Sequence, residues 1–170
     1  APADSPEFGS ALAVDDGPAV DRVVASTFAP MPAVRVYADT GSGFALEQEL
    51  PGDPPVPGLQ DIFGAAVAID GNLLAVVGAP TTVASAEPGH DPVKAGHVLI
   101  YRRDTTWTSE ATVPTFPTPS DPYVVSSYPY KLQVAGNHVA VAQLMSLDPP
   151  EGCPFPCFAL GFEAWSIDRR

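Results

Sequence analysis

Positive charge is scarce in this chain of 170 residues: eight Lys and Arg stand against twenty Asp and Glu, for a formal net charge of −12. Phosphate binding needs clustered cations, so nucleic acid is not expected as a partner. Charged residues make up 16% of the chain, against about 25% in an average globular protein. The hydrophobic share is 45%, enough to build a core and to argue against a disordered chain. No apolar run approaches the ~20 residues that span a bilayer, so no membrane span is expected. Windows free of both Pro and Gly are few, because the chain holds 21 Pro and 14 Gly. That excludes long helices and leaves short strands between loops. Catalytic signatures are missing as well. There is no G-x-S-x-G, P-loop or Rossmann glycine pattern, and no catalytic residue is expected.

Cys occurs twice, in Cys153-Pro-Phe-Pro-Cys157. Two Cys are too few for a zinc site and fit an oxidising compartment. A disulfide between Cys153 and Cys157 is the expectation, pinning one loop. Free thiols and redox or metal chemistry are the alternatives, C-x-x-x-C being no thioredoxin motif. The chain begins Ala-Pro-Ala without Met, as a mature terminus left by signal-peptide removal would. A secreted, periplasmic or cell-surface location is expected.

An internal repeat organises the rest. The middle copy runs FGAAVAIDGNLLAVVGAP from Phe63 to Pro80. An N-terminal copy starts at Phe8 and a C-terminal one at Tyr128, at periods of 55 and 65 residues. Leu132 falls on Val67, Val134 on Ile69, and Ala140-Val141 on Ala75-Val76. A second phrase, residues 33–50, parallels residues 96–113, with Tyr37 answering Tyr101 and Phe44 answering Trp107. Residues 161–170 begin the same phrase. Period-2 apolar patterning makes each unit four short strands, A to D. Asp70-Gly71-Asn72 and Gly136-Asn137 are expected tight turns, with φ > 0 supplied by Gly and Asn. Such a unit cannot bury both faces by itself and needs neighbours stacked on it.

The order FG, apolar strand, DG, apolar strand, GAP, then G-x-V-x-x-Y and Trp resembles the FG-GAP repeat, as in integrin α-chains and bacterial extracellular proteins. The middle copy carries Phe63-Gly64, Gly78-Ala79-Pro80, Gly96 to Tyr101 and Trp107. In the first copy Phe8-Gly9 is kept and Ala25-Ser26-Thr27 stands for GAP. The third has Tyr128-Pro129 for FG and Ala142-Gln143-Leu144 for GAP. The resemblance implies an all-β fold of about three four-stranded antiparallel propeller blades, an open arc or part of a larger or oligomeric β-propeller. The blades cover about 8–50, 63–113 and 128–170, the last incomplete, for eleven strands. An open arc exposes apolar faces at both ends. Three resolutions follow: a fragment of a longer propeller, association of arcs into a ring, or another compact β-structure such as a sandwich.

The long links 51–62, 81–95, 114–127 and 145–157 are all B–C or D–A connections, whereas the short turns fall on the other side. Loops on a rigid scaffold are where binding resides. Candidate binding residues on that rim are Asp53, Asp61, His90, Asp91, Lys94, Asp121 and Tyr123. Calcium would need alternating acids. Asp15, Asp16 and Asp21 lack D-x-D-x-D-G spacing, and Asp39-Thr-Gly-Ser-Gly43 reads as a hairpin turn, so no cofactor is expected. His97 and His138 lie in expected strands, and no second His or Cys has ligand spacing to His90. Trp107, Trp165, Tyr101 and Phe44 are expected to pack between blades. The resemblance implies a non-catalytic extracellular binding, adhesion or assembly module. Its partner would be a protein or another copy or segment completing the propeller, with a glycan as a further candidate. The alternatives are the accessory propeller of a secreted hydrolase and a small lectin-like carbohydrate binder.

Overall fold

The computed structural model describes residues 9–16, 20–27, 32–52, 63–78, 81–83, 93–114, 124–147 and 157–167. Those residues are all-β: thirteen strands in three sheets, with no helix among them. Sheet 1 is a meander of β1 (Leu12–Asp15), β2 (Arg22–Thr27), β3 (Ala33–Asp39) and β4 (Phe44–Pro51). Next along the chain come β5 (Val67–Asp70), β6 (Leu73–Val77), β7 (Thr81–Val83), β8 (Val93–Ala95), β9 (His97–Arg103) and β10 (Trp107–Pro114). Sheet 2 takes four of these in the order β5-β6-β9-β10, all antiparallel. Sheet 3 contains β11 (Val124–Ala135), β12 (His138–Leu147) and β13 (Cys157–Ser166), with β8 and β7 added beside β11.

The repeat is visible in the register. Val36 faces Gln48 and Tyr37 faces Leu46, which leaves Glu47 as the extra residue of a β-bulge. One unit later Ile100 faces Ala111 and Tyr101 faces Ser109, leaving Glu110 in the same place. The Gly9 N–H donates to the Ser26 carbonyl at 2.8 Å, and the Gly64 N–H to the Val77 carbonyl at 2.8 Å. At the far end of each unit the amides of Asp39, Arg103 and Ile167 donate to the carbonyls of Asp21, Asn72 and Asn137. This register makes Thr27 and Gln143, not Ala25 and Ala142, the equivalents of Gly78 in their units. The alignment of GAP in the outer copies is thus corrected by two residues and by one.

Two hydrophobic layers hold the sheets face to face. Val24, Val34, Val36 and Leu50 of sheet 1 meet Val67, Ile69, Leu74, Val76 and Trp107 of sheet 2, with Phe63 among them. On its other side sheet 2 lays Ala68, Leu73, Ala75, Val77, Val98 and Ile100 against Leu132, Val134, Val139 and Val141 of sheet 3. Strand β6 reads Leu-Leu-Ala-Val-Val without polar alternation because both of its faces are covered. The first strands sit together, β5 lying against both β1 and β11.

Several expectations are corrected. The link 81–95 is not wholly irregular: its ends form the antiparallel pair β7–β8, and β8 runs parallel to β11 through Lys94↔Ser126 and Ala95↔Ser127. Strands β11, β12 and β13 reach into the expected links 114–127 and 145–157. Sheet 3 therefore has five strands, three from its own unit and two lent by the link inside unit two. The tight turns place Gly71 and Gly136 at φ 58, but among the described residues no non-Gly residue has positive φ, so Asn72 and Asn137 do not. A left-handed residue at the first turn position alone is the type II′ pattern.

Candidate binding surface

The repeat motif is first a packing device. Phe63 is 1% exposed and lies so close to Gly52 that a Cβ there would sit 2.8 Å from its ring. Gly64 has φ +74, and a Cβ on it would approach Ser26 Cβ of sheet 1 to 2.9 Å. Any side chain at 64 would meet both the left-handed backbone and the neighbouring sheet. Gly78 leaves the space that the His97 ring occupies, since a Cβ there would be 2.0 Å from Nε2.

Around that packing, polar side chains clasp sheet 1 to sheet 2. The Glu47 carboxylate projects from the bulge in β4. It accepts from Arg22 Nε at 3.0 Å, Arg103 Nε at 2.8 Å and Trp107 Nε1 at 3.2 Å. Arg103 Nη2 also lies 2.7 Å from it. Beside it Gln48 Nε2 donates to the Trp107 carbonyl at 2.9 Å, while its Oε1 accepts from the Trp107 N–H at 2.8 Å. Burial pushes the Glu47 carboxyl up. Hydrogen bonds from Arg22 and Trp107, with the charges of Arg22 and Arg103, outweigh it and hold the pKa below the ordinary 4.5. Apart from Trp107, these residues carry no motif in the sequence, although Phe44-x-x-Glu47 and Trp107-x-x-Glu110 share one spacing.

The two end faces of the stack expose large apolar side chains beside a few charged ones, the Arg35–Glu49 pair on sheet 1 and Lys131 on sheet 3. On the outside of sheet 1, Leu12, Val14, Phe44 and Leu46 are exposed, and on the outside of sheet 3, Leu144, Leu160 and Phe162. Exposure runs from 39% at Leu144 to 74% at Leu160. Leu144 stands opposite Leu160, and Ala142 opposite Phe162, which makes them one face. Phe44 was expected between units. It is instead on the open side, whereas Trp107 is 3% exposed and Tyr101 and Trp165 pack against the layers.

Among the rim candidates, Lys94 lies in β8, opposite Thr82 and beside Ser126, not in a loop. Asp53, Asp61, His90, Asp91, Asp121 and Tyr123 lie outside the described residues. Of the cysteines, Cys157 opens β13 opposite Leu147 and Cys153 lies outside the described residues, so the proposed disulfide does too. The strand ends that flank these segments are opposite the short A–B and C–D turns, as antiparallel order requires. His97 and His138 lie in β9 and β12. Asp39 Oδ1 accepts from the Gly41 N–H at 2.9 Å within its hairpin turn. Among the described residues no group of three His, Cys, Asp or Glu is placed to hold a metal ion. No helix among them is long and apolar enough to cross a membrane.

No protein-family model matches the chain, and no curated protein matches it.

Proposed function

We propose that this chain is an arc of an FG-GAP-like β-propeller from an exported protein, acting as a non-catalytic binding or assembly module. The observation that carries the reading is the stacking: three units meet through the same pair of faces, with their first strands together and their short turns at one end. The described strand ends away from the short turns share one rim, and ligand contact is assigned to the connections that leave them, in which Asp53, Asp61, His90, Asp91, Asp121 and Tyr123 fall by sequence. Ligand contact then comes from loops while the sheets hold them in place. The partner is a protein of the cell exterior, and the scaffold needs neither a metal nor a cofactor to stand.

The test replaces residues 53–61 and 84–91 separately by Gly-Ser linkers of equal length and probes both variants against extracellular protein and glycan arrays. The expected result is saturable protein binding by the unaltered chain, lost by at least tenfold in one variant while the thermal midpoint is kept. Binding that survives both replacements, and a third replacement of residues 115–123 around Asp121 and Tyr123, overturns the rim, and saturable glycan binding in place of protein overturns the partner class.

A further inference from the structure

The two open faces are copies of faces that are closed inside the molecule. On sheet 2 the row Ile69, Leu74, Tyr101 and Ser109 is turned toward sheet 1. Its register equivalent on sheet 1 is Val14, Val23, Tyr37 and Leu46, the outer row. On sheet 2 the row Val77, Val98 and Val113 is turned toward sheet 3. The equivalent on sheet 3 is Lys131, Ala142 and Phe162, again on the outer side. Every chain thus carries, uncovered, both halves of a contact that it makes twice within itself.

We infer that the occupant of each open face is a second copy of this chain, docked head to tail, with the outer face of sheet 3 on the outer face of sheet 1. This inference rests on the stacked-unit reading above and names the partner of its end faces. Like faces do not match: inside the molecule the row of Val77, Val98 and Val113, or its equivalent, meets the row of Ile69, Leu74 and Tyr101, or its equivalent, in another unit, never its own kind. The contact is heterologous, and it closes only if the accumulated rotation permits.

The junction also differs from the internal one. Where sheet 2 offers Arg103 and Trp107 to Glu47, sheet 1 offers Asp39 and Phe44 at the equivalent places. No clasp of that kind can form there, and the contact is mainly apolar, with Lys131 on the sheet 3 face and the Arg35–Glu49 pair on the sheet 1 face as its charged groups. Each copy carries a net charge of −12, and the copies repel each other until salt screens them. Association therefore strengthens as ionic strength rises, the reverse of a contact held by ion pairs.

The experiment is light scattering and sedimentation of the full chain over a concentration series at low and high sodium chloride. Twice the mass of one chain, or a larger closed number, is expected, with association at least a few-fold tighter at high salt. Leu160→Asp and Leu12→Asp each remove one face at an exposed position; Leu160→Ser and Leu12→Ser are substitutes if either aspartate variant loses its circular dichroism. Each variant alone should be monomeric, and an equal mixture should restore one junction and give a heterodimer. A wild-type monomer at every salt and concentration overturns the inference, as does a Leu12→Asp variant that still dimerises, which would reveal like-with-like pairing. Loop-dependent binding by a strict monomer sinks the self-association alone. A head-to-tail assembly without any loop-dependent ligand sinks the binding-module reading alone.

Discussion

Glu47 and Glu110 occupy the same bulge position one repeat apart, but only Glu47 crosses to the next sheet. Its carboxylate meets Arg103 and Trp107 of sheet 2. Glu110 stays within its own sheet on Arg102 Nε at 2.8 Å. The cause lies across the seam: the position equivalent to Arg103 on sheet 3 is Ile167, which packs against the apolar layer. Sheets 2 and 3 have a different polar contact, the Asp70 carboxylate accepting from the Gly136 N–H. One backbone geometry therefore serves a seam with a charged rim and a seam that is almost wholly apolar. A repeat specifies where side chains meet, and the individual residues specify what chemistry happens there.

The broadest attack on that comparison removes one layer at a time. Leu73 and Leu74 are adjacent and both fully buried, but Leu73 enters the layer with sheet 3 and Leu74 the layer with sheet 1. Leu73→Ala and Leu74→Ala should each cost about 2–5 kcal/mol in urea denaturation. A loss below about 1 kcal/mol in either would mean that its layer is not a packed core.

Smaller effects separate the two glutamates. Glu47→Ala leaves the buried Arg22 without its carboxylate and should cost about 2–3 kcal/mol. Glu110→Ala breaks a pair within one sheet and should cost under about 1 kcal/mol. Equal losses would remove the distinction between the seams.

The smallest expected effect is that of pH. The Glu47 pKa is depressed in the folded chain, so its contribution is full above the unfolded value of 4.5 and fades as pH falls through the lower folded value. Denaturation of wild type and Glu47→Ala at neutral pH and in acid below that value should show the gap between them narrowing. A gap that is constant with pH would rule out the charge as the source of the clasp.

Much of the architecture could be read before any coordinates. Alternation in Val67–Ile69 and Val98–Ile100 gave strands, Asp70-Gly71-Asn72 gave the hairpin, and the paired phrases gave the equivalence of the bulges in β4 and β10. Tyr37 and Phe44 do stand where Tyr101 and Trp107 stand one unit later. The clasp escaped notice because a bulge is a property of two strands in register, and Glu47 looks like any exposed acid in a chain of twenty. The β7–β8 pair escaped for another reason. Three-residue strands carry too little periodicity, and their place beside β11 depends on a contact formed more than thirty residues away in sequence. Phe44 was misplaced since equivalence to Trp107 says which face it occupies, not whether a neighbour covers that face.

By itself the sequence determined most of the strands and the places of their tight turns, because alternation and turn chemistry are local and survive without knowledge of neighbours. Only the tertiary structure decided which faces are covered, which glutamate crosses a seam and which strands the link within unit two adds to sheet 3. Those outcomes depend on which atoms meet across a gap, and pairing between distant segments is set by packing and desolvation rather than by local propensity.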